Sequence, residues 1–183
     1  MTGSPADLAR AVLQFWCEEL SSEQHWKKDT SIDRHIAERF GKVREQVLAT
    51  KAAGWRDRPE TLAAAIILTD QFSRNIYRGS ARAFEADGLA LELCREALDR
   101  DWVDKVQQPL PSFILMPLMH SEKEEDQERS LAEFRKRDPF NYKFAILHHE
   151  QIRRFGRFPG RNQALGRVST PEEREVIERG ETF

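Results

Sequence analysis

At 183 residues, 39% of them hydrophobic and 33% charged, the chain has material for one all-enclosing core, and residues 1–183 are expected to form a single domain. Its formal net charge of -2 gives no overall field that favours nucleic acid, and no apolar run approaches the roughly 20 residues of a membrane span. Neither nucleic acid nor membrane is an expected partner.

In chain order, Ser4-Pro5-Ala6-Asp7 places a serine cap, a first-position proline and an acid at the start of a helix. The N-terminal stretch MTGSPADLAR lacks a basic start followed by an apolar stretch, so no signal peptide is expected. Residues 32–51 follow as a helix, and Asp57-Arg58-Pro59-Glu60 repeats the start signal ahead of the apolar run at residues 62–68. Helices are also expected at 81–100, 111–120 and 140–155. Ser121-Glu122-Lys123-Glu124 and Thr170-Pro171-Glu172-Glu173 open two more by the same logic. Cys17 and Cys94 fall within helical patterns and make no disulfide framework, so reduced thiols and a cytoplasmic location are expected. The four tryptophans read as core and helix-packing residues.

No segment alternates apolar and polar residues as a strand does. The fold class is therefore all-α, with about eight helices. Short connections predict antiparallel helical hairpins, stacked in a repeat-like way without a strict period.

The stretch LAAAIILTDQFSRNIYRG, residues 62–79, is nearly all apolar until Asp70, Gln71, Arg74 and Asn75. A helix apolar on every side belongs at the centre of a fold, so these polar groups lie at the core's edge on the same helix. Asp70 and Arg74 are spaced i,i+4, as are Gln71 and Asn75, and Arg78 continues the first stripe. Such a helix end either carries ordinary salt bridges or lines a cleft.

Charge is segregated further along. Residues 121–133 (SEKEEDQERSLAE) are strongly acidic, whereas residues 151–167 (QIRRFGRFPGRNQALGR) hold five arginines and no acid. Within the latter, FGRFPGRN sets Arg157 and Arg161 around a glycine- and proline-containing turn, with Arg153 and Arg154 ahead of it. Guanidinium groups suit carboxylates and phosphates, and their partner is either the acidic helix or a ligand. His120 ends one helix beside Ser121 and is placed to carry a proton near neutral pH. His148 and His149 point about 100° apart on a helix, so one of them faces inward. His35 and Glu38 are i,i+3, but no paired ligand signature accompanies them, and no metal or other cofactor is expected.

Together, DQFSRNIYRGSARAF, LMHSE, DQERS, FGRFPGRN, LGR and STPEE, in this order, resemble the family catalogued as domain of unknown function 924. The resemblance runs from VLQFWCEEL to Phe183. It implies a tetratricopeptide-like, right-handed superhelical arrangement of helices and a bacterial distribution, and it implies no established activity. It also implies that Asp70, Gln71, Phe72, Arg74, Asn75, His120, Ser121, Glu122, Gln127, Arg157, Arg161 and Asn162 stand at motif positions. The family often has histidine where this chain has Gly160, so an acid/base role at that position does not carry over.

These features predict one polar cleft that binds a small anion or carboxylate. Asp70, Gln71, Arg74, Asn75, Glu122, Arg154, Arg157, Arg161 and Asn162 are its ligand-binding residues, and His120 is the catalytic group if transfer or hydrolysis occurs. A rival is a peptide-binding scaffold without catalysis, which holds a peptide carboxylate in an open groove. A third is a structural charge network, with a homodimer interface as one setting for it.

Overall fold

The computed structural model describes residues 3–183, and every regular element among them is helical. No helix of the described residues is long and apolar enough to cross a membrane. The chain divides into two compact units: the chain up to Arg78 together with Arg82–Pro117, and Leu118–Phe183 together with Gly79–Ala81.

In the first unit, α1 (Pro5–Gln14) begins as expected, with Ser4 Oγ accepting the Asp7 N–H at 3.3 Å. A π-helical turn, Phe15–Glu19, leads to the short α2 (Ser22–Trp26), which residue spacing alone does not reveal. α3 (Thr30–Ala49) is capped by Asp29. α4 (Pro59–Thr69) is the apolar helix, buried from Thr61 to Thr69 and packed on α1, α3 and the later α6. Its start differs from expectation in one respect. Pro59 forces its predecessor into extended backbone, so Arg58 itself is the cap and makes no side-chain capping bond.

The helix does not run on unbroken into the polar motif. Asp70 takes φ -95° and ψ -68°, ending α4 and starting α5 (Gln71–Ile76). A 3₁₀ turn at Ala81–Phe84 replaces the first part of the helix expected at 81–100, and α6 occupies Asp87–Asp99. α7 (Leu110–Met119) follows a further short turn. Phe40 and Phe72 pack with ring centroids 5.1 Å apart, and Trp16 meets Phe72 edge-on at 5.4 Å. Trp16 and Trp55 are core residues as expected; Trp26, at 52% exposure, is not. Its helix is a single amphipathic-length turn, too short to bury every ring it carries.

In the second unit, α8 (Glu124–Arg137) and α9 (Pro139–Phe155) are separated by Asp138 alone and pack as a hairpin. The acidic first turn of α8 and its basic last turn complement the helix dipole. Ser121 is not its cap. That position belongs to Lys123, while Ser121 Oγ donates to Asp126 at 2.7 Å within the preceding loop. Gln127 donates to the carbonyls of Met119 and Ser121, each at 2.7 Å, and so ties down the end of α7. Gly156 ends α9 with φ 69°, a left-handed conformation natural to glycine. A 3₁₀ turn (Pro159–Arg161) leads on to α10 (Pro171–Glu178), where Thr170 and Glu173 form the expected capping box.

Candidate functional site

Four of the predicted site residues, Asp70, Gln71, Arg74 and Asn75, lie in the first unit; His120, Glu122, Arg154, Arg157, Arg161 and Asn162 lie in the second. The break at Asp70 sets the first group. Asp70 is 1% exposed, and a carboxylate so placed needs a partner. Arg74 supplies it, with Nη1 3.2 Å from Asp70 Oδ1. The same guanidinium donates to the Asp70 carbonyl at 2.9 Å and forks onto Asp87 at 3.0 and 3.1 Å. Burial alone would lower the Arg74 pKa, but the carboxylates of Asp70 and Asp87 outweigh it and raise the pKa above its ordinary value.

Gln71 and Asn75 do not pair with each other. Gln71 donates to Asp70 at 2.5 Å and approaches Met116 sulfur at 3.3 Å. Asn75 donates to Asp33 on α3 at 2.7 Å, and Arg78 grips the same carboxylate with two bonds of 2.8 Å. Arg44 of α3, fully buried, donates to Ser73 at 3.0 Å, Glu45 at 2.8 Å and Glu85 at 2.6 Å. The polar end of the apolar helix is thus stitched to α3 and α6 by arginine–carboxylate bonds. Arg44, Asp33 and Asp87 complete it, and no local sequence signal marks them.

In the second unit the arginine turn finds acids from two places. Arg157 donates to Glu173 of α10 through Nε at 2.7 Å and Nη2 at 2.8 Å. Asn162 adds a bond to the same carboxylate at 3.2 Å, and the Thr170 N–H adds one at 2.7 Å. With Arg157 first among these causes, the Glu173 pKa falls from 4.5 to about 2. Arg167 forks onto Glu122 at 2.7 and 3.0 Å, and Glu122 also accepts the Phe158 N–H at 2.8 Å. Burial pushes the Glu122 carboxyl up, but Arg167 and the Phe158 amide hold it below its ordinary value.

Arg161 donates to the His120 carbonyl at 2.8 Å and lies 4.5 Å from the Phe158 ring. His120, Glu122, Arg157, Arg161 and Asn162 therefore gather around the 157–162 turn. Glu173 and Arg167 belong to the same network; the sequence marked Glu173 as a helix cap and Arg167 only as one of five arginines. Of the two adjacent histidines it is His148 that faces inward, with Nδ1 2.8 Å from the Phe144 carbonyl and its ring 6.0 Å from that of His120. Among the described residues no group of three or more His, Cys, Asp or Glu side chains is placed to hold a metal ion.

Arg154 stands apart from this network. It lines an open groove of about 450 Å³ between α9 and α10, with Leu147, Gln151, Phe155 and Val176. One wall is the chain itself at residues 180–183. Gln151 Nε2 donates to the Glu181 carbonyl at 2.6 Å, while its Oε1 is buried without a hydrogen-bond partner. Phe183 stacks on His148 with ring centroids 3.8 Å apart and planes at 22°. The backbone of this segment passes so near Gly160 that a Cβ there would lie 2.6 Å from the Phe183 carbonyl oxygen. Glycine at 160 and the course of residues 182–183 go together.

These features define an all-helical protein whose ordered polar motifs are internal arginine–carboxylate networks, with an open groove beside one of them. The family model described as "Bacterial protein of unknown function (DUF924)" matches residues 12–181, and the chain belongs to this family. It is also similar to the solved structure of a protein of unknown function, ATU0120, from Agrobacterium tumefaciens. The two are 32% identical, with a TM-score of 0.90, over 96% of this chain and 99% of the other. No curated protein gives a match.

Proposed function

We propose that the protein is a helical, tetratricopeptide-like scaffold that docks an extended peptide segment in the α9–α10 groove, without catalysis of its own. The observation that carries this is the groove's lining. Leu147, Phe155 and Val176 offer apolar surface, Gln151 offers an amide for a backbone group, and Arg154 supplies a cation at the rim. Extended peptides are held this way, by backbone hydrogen bonds for affinity and side-chain pockets for selectivity. A small-anion site has less support, because Arg74 and Arg157 are already met by carboxylates.

Selection of peptides from a random displayed library on the pure protein tests the proposal. Binders are expected to lose at least ten-fold in affinity for Arg154→Ala combined with Phe155→Ala, with helical circular dichroism unchanged. Binders indifferent to that double substitution would place any peptide site elsewhere and end the proposal.

A further inference from the structure

The segment at residues 181–183 is bound to α9 in the manner of a ligand. Resting on the peptide groove proposed above, we infer that these residues, one wall of that groove, stand where part of its external partner binds, and that this partner is an extended segment presenting an aromatic side chain in place of Phe183. Three contacts of different kinds carry this. The first is a hydrogen bond donated by the Gln151 side-chain amide to the Glu181 carbonyl at 2.6 Å, a contact to backbone that is blind to the side chain.

The second is the stack of Phe183 on His148 at 3.8 Å. His148 is a prepared platform: its Nδ1 lies 2.8 Å from the Phe144 carbonyl, and its ring meets Phe158 edge-on at 5.4 Å. The third is the close pass over Gly160, where a Cβ would stand 2.6 Å from the Phe183 carbonyl oxygen and 3.1 Å from Thr182 Oγ1. Glycine is the residue that lets another backbone approach so closely.

The occupant is held shallowly. Phe183 remains 44% exposed, whereas Phe158, which meets the same histidine edge-on, is fully buried. One ring face and a few hydrogen bonds, from Gln151 to the Glu181 carbonyl, from the Glu181 N–H to the Val176 carbonyl at 3.0 Å and from Arg179 to the exposed Glu181 carboxylate at 3.0 Å, must offset the ordering of three backbone residues, so the segment exchanges readily. Gln151 Oε1, buried and without a hydrogen-bond partner at the groove wall, is an acceptor that a longer segment's N–H satisfies and the resident one does not. Aromatic partner segments therefore compete with residues 181–183 for His148.

The probe is a fluorescein-labelled, amidated peptide repeating residues 176–183, followed by polarisation. A chain lacking residues 181–183 is expected to bind it. The intact chain binds more weakly, since a tethered segment competes at an effective concentration on the order of millimolar; the weakening is about ten-fold for a peptide whose dissociation constant is about a tenth of that concentration. Replacing phenylalanine by alanine in the peptide abolishes binding. So does Gly160→Ala in the shortened chain, where the new Cβ meets the incoming backbone.

Should the shortened chain fail to fold, intact-length Phe183→Ala takes its place and is expected to bind the peptide more tightly than the unaltered protein. Equal binding by intact and shortened chains would overturn the competition while leaving the groove itself standing. No binding to a folded shortened or Phe183→Ala chain would overturn the inference, and the library selection would still decide the groove separately. A concentration-dependent dimer that exchanges residues 181–183 would overturn it in favour of self-recognition.

Discussion

Arg157 holds Glu173 through two hydrogen bonds, 2.7 and 2.8 Å long, joining the turn before the 3₁₀ segment to the first turn of α10. Glu173 is 2% exposed and simultaneously completes a capping box with Thr170. One carboxylate therefore fixes a helix start and anchors a loop. Cutting Arg157 back to alanine strands that carboxylate. Loss of one partner leaves a buried carboxylate uncompensated and destabilises the fold, while the exposure of Arg157 lets solvent screen the pair and lessens the cost. Urea denaturation of Arg157→Ala is expected to show that loss, and Arg157→Lys to recover only part of it, because lysine cannot fork onto both oxygens.

The same carboxylate predicts an acid limb in stability. Its pKa is about 2 in the folded chain against an ordinary 4.5, so the unfolded chain takes up the proton first. The stabilisation is complete above pH ~4.5 and is lost as pH falls towards about 2; a fall from 4.5 to about 2 corresponds to roughly 3 kcal/mol. Glu173→Gln, which cannot titrate, is expected to flatten the urea midpoint between pH 5 and pH 2 relative to the unaltered chain. An acid limb of undiminished slope in that variant would assign the effect to other carboxylates.

Two arginines of the first unit, Arg44 fully buried and Arg74 partly exposed, are predicted to behave differently on replacement by methionine. Arg74→Met leaves Asp70 buried with its main cationic partner gone, and a loss of about 3–5 kcal/mol is expected. Arg44→Met removes a fully buried guanidinium whose carboxylate partners, Glu45 and Glu85, both reach solvent. Those acids can hydrate, and an apolar chain of similar length fills the space, so the cost stays within about 1–2 kcal/mol. Denaturation midpoints of the two variants side by side check the ordering, which would be reversed if depth of the arginine, and not of its partner, set the cost.

The sequence showed α4 because seven consecutive apolar residues, 62–68, leave it no polar face to turn to solvent. It showed the starts of α1 and α10 because their caps act within three residues. What it did not show depends on distance along the chain. Arg157 and Glu173 are 16 residues apart, and Arg78 and Asp33 are 45 apart; nothing in either segment names the other. The acids of residues 121–133 looked like the natural partners of the arginine turn; Glu122 does accept from it, through Arg167 and the Phe158 amide, but Arg157 turns to Glu173 instead. Ser121 has the right identity for a cap and the wrong place, because the loop that secures α7 delays α8 to Glu124. Gly160 carried no local turn signal of positive φ; its reason is a backbone passing overhead.

Cys17 lies in the π-helical turn after α1, and burial first, with the nearby Glu18 charge second, pushes its thiol up to about 11. The thiolate is the reactive form. The rise from an ordinary value of about 9 to about 11 lowers the thiolate fraction of Cys17 at pH 8 roughly 100-fold. Cys94 is fully buried in α6 and adds a steric barrier of its own. Native protein is expected to react with Ellman's reagent at least about 100-fold more slowly than free cysteine at pH 8, and both thiols to react promptly in urea. Fast native reaction of one thiol at that pH would mean that the π turn opens on the timescale of the assay, since the closed geometry gives Cys17 too little thiolate to account for it.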